Sequence, residues 1–85
     1  MSTRDLTFYA DPSHGWLEVP VTDVLFLGVA PSKYSYTKGG MVYLEEDCDI
    51  NPFLNAADDH GWTINITHNH TNTDSVIRSY TCWRD

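Results

Sequence analysis

The sequence predicts an α+β fold: a mostly antiparallel sheet with two short helices on one face, in the order ββαββαββ. Three observations carry that expectation. Short β-prone runs recur in pairs, divided by residues that favour turns. Two intervening stretches place apolar residues at helical spacing and carry helix-end signals. Finally, 41% hydrophobic residues and eleven aromatics provide enough apolar surface to offset chain entropy. A chain of 85 residues supports one modest core, so residues 1–85 are expected to form a single small domain.

The first run is Leu6 to Tyr9, closed by the turn residues Asp11-Pro-Ser-His-Gly15. Trp16 to Val19 should return antiparallel, and Pro20 ends it. Thr22 can cap a short helix through Leu27, with Asp23 in its first turn and Gly28 ending it. Tyr34 to Thr37 alternates as a strand, Lys38-Gly-Gly40 turns the chain, and Met41 to Glu45 comes back. Asn51-Pro52 reads as an N-cap with proline at the first helical position, where its missing N–H costs nothing. Phe53, Leu54 and Ala57 form the apolar stripe of that second helix, and Gly61 is its left-handed end. From Trp62 to about His68, Trp62, Ile64 and Ile66 share one face of a strand, with Thr63, Asn65 and Thr67 on the other. Residues 71–74 should turn, and Ser75 to Thr81 should form the last strand. A faint echo at an offset of 27, Leu17-Glu18 with Leu44-Glu45 and Phe26-Leu27 with Phe53-Leu54, suggests two similar strand–helix units.

Charge is segregated along the chain. Seven of the twelve acids lie between Gly39 and Ile77, a span with no Lys or Arg, while five acids balance five bases elsewhere. The net charge of −7 therefore belongs to the middle and later part of the chain. Asp58 and Asp59 also sit at the negative end of a helix dipole, where a base would be more comfortable. Such a surface disfavours nucleic acid and anionic membrane, and favours basic protein partners. No run approaches a membrane span, and the N-terminal residues lack the apolar segment of a signal peptide. The expected setting is cytoplasmic, with Cys48 and Cys82 as reduced thiols.

The chemistry-bearing residues favour a binding protein over an enzyme. Asp47, Asp49 and Asn51 follow a calcium-loop spacing, but Pro52 stands where that loop needs glycine. Neither Ser13 nor Ser75 has the glycines of a nucleophile elbow, and no phosphate-binding loop is present. His68 and His70 lie on one side of a strand and could share a metal; a small metal-binding or enzymatic domain centred on them is the alternative reading. Nothing in the sequence fixes a third ligand, and no cofactor is implied.

Ala10 to Pro20 (ADPSHGWLEVP), Tyr34-Ser-Tyr36, Tyr43 to Asp49 (YLEEDCD), and His70-Thr-Asn72 with Ser75 to Tyr80 (SVIRSY) form four blocks. On these blocks the chain resembles a family of small proteins encoded by bacteriophages and other mobile elements. The resemblance implies a mobile-element origin and the host cytoplasm as location, and it carries over no activity or catalytic residue. The function expected is a non-enzymatic phage protein whose acidic face docks on a basic host protein, such as a nucleic-acid-binding complex. Its most concrete form is an anti-CRISPR-type counter-defence inhibitor that imitates nucleic acid. The residues expected at that interface are Glu45, Glu46, Asp47, Asp49, Asp58 and Asp59 for charge, with Tyr34 and Tyr36 as aromatic anchors and Trp16 as a further one. An open edge strand in so small a sheet would also allow a homodimer.

Overall fold

The computed structural model describes residues 2–73 and 75–83. The elements are β1 (Thr3–Ala10), β2 (Gly15–Pro20), α1 (Val21–Leu27), β3 (Tyr36–Lys38), β4 (Met41–Glu45), α2 (Ile50–Asp59), β5 (Thr63–His70) and β6 (Thr81–Cys82). One six-stranded sheet runs β5-β1-β2-β4-β3-β6, and every pairing is antiparallel except β1 with β5. The α+β class and mostly antiparallel sheet follow the sequence expectation.

Strand alternation builds two different faces. Leu6, Leu17, Val19, Val42 and Leu44 point to one side, where Val24 and Leu27 of α1 and Ile50, Phe53 and Ala57 of α2 complete the main core. On the opposite side, Trp16 and Tyr43 pack with Ile77 in a smaller cluster, bordered by Tyr9, Tyr36, Met41 and Tyr80. Gly15 is fixed by the first face: a Cβ there would lie 2.1 Å from Cζ of Phe8. The echo at offset 27 is real in the sheet, where Leu17 and Leu44 are direct cross-strand partners. It fails in the helices, because Phe53 is fully buried while Phe26 is 67% exposed and stacks on Trp62 at 5.8 Å.

Helix α1 ends at Gly28, which takes the left-handed conformation and donates to Leu25, as its position suggested. Its buried Asp23 accepts from Arg4 Nε at 2.9 Å, and the same guanidinium lies 4.3 Å from the Trp62 ring centre. Arg4 thereby joins β1, α1 and the approach to β5. Among the described residues, no helix is long and apolar enough to cross a membrane.

Three local expectations are corrected. Thr22 makes no side-chain cap: α1 begins at Val21, directly after Pro20. Helix α2 likewise begins at Ile50 with Asp49 as its N-cap, so Asn51 lies inside the helix. Pro52 is still tolerated there, because the first four N–H groups of a helix have no internal partner. The third correction concerns Ser75 to Thr81, where most of the expected strand is a 3-10 turn over Val76–Ser79, and only Thr81–Cys82 pairs with the sheet. Ser75 caps that turn by accepting from the Ile77 N–H, and Asp11 holds both the Ser75 N–H and the Arg78 guanidinium. These contacts outweigh the β-branched preference of Val76 and Ile77. The turn expected at 71–74 ends on Asp74, which lies outside the described residues.

Candidate functional site: an acid-rimmed aromatic cleft

Two buried carboxylates shape one end of the sheet. Asp11 follows β1 and accepts through Oδ1 from the Ser13 and His14 N–H groups, closing the turn into β2. The same carboxylate takes Arg78 Nε at 2.7 Å and Nη2 at 3.0 Å. The Arg78 guanidinium holds the Asp11 carboxyl far below the usual carboxylate range, outweighing the opposing effect of burial, with the three N–H donors adding to it. Arg78 is thereby fixed with its guanidinium carbon 5.5 Å from the Trp16 ring centre.

Asp49 is the second pin. It accepts from the Ser32 N–H at 3.0 Å, the Ser32 hydroxyl at 2.8 Å and the fully buried Ser35 hydroxyl. Ser35 Oγ in turn accepts from the Glu45 N–H. The loop carrying Lys33 and Tyr34 is therefore fastened to the loop between β4 and α2. Glu45 turns back on that second loop, with Oε1 accepting from the N–H groups of Asp47 and Cys48 at 3.0 Å each.

Between these pinned loops lies an open cleft of about 420 Å³, lined by His14, Trp16, Lys33, Tyr34, Tyr36, Glu45, Asp47, Cys48 and Arg78. Trp16 meets Tyr36 edge to face at 6.1 Å, and His14 stands 6.0 Å from Trp16. The indole N–H of Trp16 is the one buried side-chain donor without a hydrogen-bond partner among the described residues. Tyr34 is 55% exposed, with Lys33 Nζ 5.5 Å from its ring centre. At the rim, carboxylate oxygens of Glu45, Glu46 and Asp47 come within 4.8 Å of one another.

The expected interface residues divide into three groups. Tyr34, Tyr36 and Asp47 meet at the cleft, with Glu46 beside them. Glu45 and Asp49 are buried, 7% and 5% exposed, and their carboxylates accept from loop N–H and O–H groups, although Glu45 also lines the cleft. Asp58 and Asp59 are exposed at the other end of α2, a helix of ten residues and therefore about 15 Å long. The acids thus form two separated patches. Sequence reasoning did not bring His14, Cys48 or Arg78 to the site. Eight of the nine lining residues fall within the four sequence blocks noted above. Blocks far apart in sequence converge on one cleft.

The cleft's chemistry disfavours a cysteine nucleophile. Although Cys48 is exposed at the cleft, local desolvation first, then a hydrogen bond and the charge of Glu45, then Asp49 and Asp47, all push its thiol up. His68 and His70 share the helix-side face of β5, and His68 rests edge-on against Phe8 at 5.4 Å. Neither belongs to a group of three metal-ligand side chains among the described residues; Glu45, Glu46 and Asp47 are the group that does. Comparison with protein-family models, with curated proteins and with solved structures finds no match to this chain.

Proposed function

We propose that the protein is a non-enzymatic binding module that docks on a basic surface of another protein through the aromatic cleft and its acidic rim. The observation carrying this reading is the juxtaposition of Glu46 and Asp47, both exposed, with the exposed ring of Tyr34 at the mouth of a cleft floored by Trp16 and Tyr36. A Lys or Arg side chain gains at such a place from carboxylates and from ring faces together. Lys33 Nζ lies 5.5 Å from the Tyr34 ring centre, a contact that supports reading the ring as a cation-accepting surface. Arg78 does not oppose a basic partner strongly, since its charge is balanced by Asp11. Asp58 and Asp59 form a second acidic patch that draws the same partner in at longer range.

The biological setting in this proposal rests on the resemblance to mobile-element proteins. In its most specific form, the module is a counter-defence inhibitor that covers a nucleic-acid-binding groove of a host protein in the host cytoplasm. Affinity capture from a bacterial lysate tests it, with the wild type and a Glu46→Lys/Asp47→Lys variant run side by side. A basic protein that elutes from the wild type as salt rises, and is not held by the variant, is the expected result. Equal retention by both overturns the assignment to the cleft rim.

A further inference from the structure

We propose that β5 is a self-association edge, where a second copy of this chain adds its own β5 in antiparallel register. This interface is independent of the cleft, which lies on the other half of the sheet around β2, β3 and β4. Strand β5 pairs with β1 alone, through eight consecutive residue pairs without a bulge. The Thr63 N–H donates to the Ser2 carbonyl at 2.8 Å, and the Thr71 N–H to that of Ala10 at 2.9 Å. Odd-numbered residues therefore turn their backbone groups towards β1. The N–H and C=O groups of Ile64, Ile66, His68 and His70 face outwards, ready for another strand.

The two edges of the sheet are treated very differently. At one edge, β6 is only two residues long, too short to template another chain. At the other, β5 runs for eight residues, Thr-Ile-Asn-Ile-Thr-His-Asn-His, with no Lys, Arg, Asp, Glu, Pro or Gly. Among the described residues, β5 shows none of the usual guards of an open edge. This neutral stretch belongs to a chain of net charge −7, so β5 itself sets no acid against the β5 of a second copy. The nearby acid on β1, Asp5, is engaged by the Asn65 side-chain amide at 3.0 Å. A basic partner drawn to the acidic cleft finds no complementary charge on β5.

A second copy satisfies this edge on both faces. A two-fold axis normal to the sheet sets even-numbered residues opposite even-numbered ones, and their backbone groups form the new hydrogen bonds. Ile64 and Ile66 then meet the second copy on the helix side together with His68 and His70, while the threonines and asparagines meet on the other face. Two six-stranded sheets join into one of twelve, with a docking cleft towards each end.

Solution mass and residue-resolved amide exchange, measured together across a concentration series, test this interface. The expected mass rises from 9.7 kDa towards twice that value. The amides of Ile64, Ile66, His68 and His70 should gain protection in step with the mass. Ile66→Lys, and separately Thr67→Lys on the opposite face, should each raise the dimer dissociation constant by about tenfold or more, because each sets two like charges close together at the junction. Unchanged thermal melting of the dilute variants shows that the fold survives. Single-chain mass at every concentration overturns the proposal, as does a dimer whose even-numbered β5 amides exchange freely or one that survives both substitutions.

Discussion

From the end of β4 to the start of α2, two acids turn inwards and two turn outwards. Glu45 and Asp49 are buried and receive N–H and O–H donors from their own loop and from Ser32 and Ser35. Glu46 and Asp47, only one to three residues away, are exposed, and no hydrogen bond holds either carboxylate among the described residues. The same residue types thus do opposite work. The inward pair converts charge into a fixed loop geometry, and the outward pair leaves charge exposed at the cleft's rim, where the proposed partner would dock. Removing an inward acid leaves buried donors without acceptors, whereas removing an outward acid leaves only water to rearrange.

The contrast is broken most severely at Asp49. Asp49→Ala strands the buried Ser35 hydroxyl and the Ser32 N–H, and we expect a loss of about 3 kcal/mol in urea unfolding. In a domain this size that lowers Tm by roughly 10 °C or more. Asp47→Ala, two residues away, should change stability by no more than about 0.5 kcal/mol. Equal effects from the two substitutions would erase the distinction between inward and outward acids.

Acidification sharpens the same contrast at the neighbouring pin. The Asp11 carboxyl is lowered by Arg78 and by three N–H donors, so the folded protein binds its proton less readily than the unfolded chain does. Its contribution to stability is complete above the ordinary carboxylate range near pH 4 and is lost progressively as pH falls below it. Urea midpoints at pH 7 and pH 3 should therefore converge for Asp11→Asn more than for the wild type. Asp11→Asn should also be the less stable protein at pH 7, because the ion pair between the buried Asp11 carboxylate and Arg78 is lost.

A smaller effect reads the outward face directly. Cys48 is exposed in the cleft, with its thiol pushed up by local desolvation and by Glu45, Asp49 and Asp47. Alkylation of Cys48 at pH 8 should be slower than that of a model-peptide thiol, by a few-fold. Asp47→Asn should recover part of the rate by removing one of those charges. Faster alkylation of Cys48 than of the peptide would contradict the electrostatics assigned to the rim.

Much of the fold was legible in the sequence, because local signals and tertiary packing agree. Alternation located β4 at Met41–Glu45, and the left-handed residues Gly28 and Gly61 follow their helices as placed. The two larger failures, at residues 75–81 and at Asp49, share one cause, a partner distant in sequence. The 3-10 turn at Val76–Ser79 is held by Asp11, 64 residues before Ser75, and no local pattern announces that contact. Asp49 reads as one more acid in a charged run until Ser32 and Ser35, 17 and 14 residues earlier, arrive to claim its carboxylate. For the candidate site, residue type was enough to single out Tyr34, Tyr36 and Asp47. It could not separate Glu45 and Asp49 from their exposed neighbours, nor bring His14 and Arg78 to the same cleft.

The most direct test of docking at the outward acids is a residue-resolved NMR titration with a short arginine-rich peptide at low and at high salt. The wild type should show shifts centred on Tyr34, Glu46, Asp47 and the Trp16 indole N–H, weakening as salt rises. The Glu46→Lys/Asp47→Lys variant should lose those shifts while keeping the rest of its spectrum. Shifts centred instead on Asp58 and Asp59, or persisting at the cleft in the variant, would contradict the assignment of the docking site to the cleft and its rim.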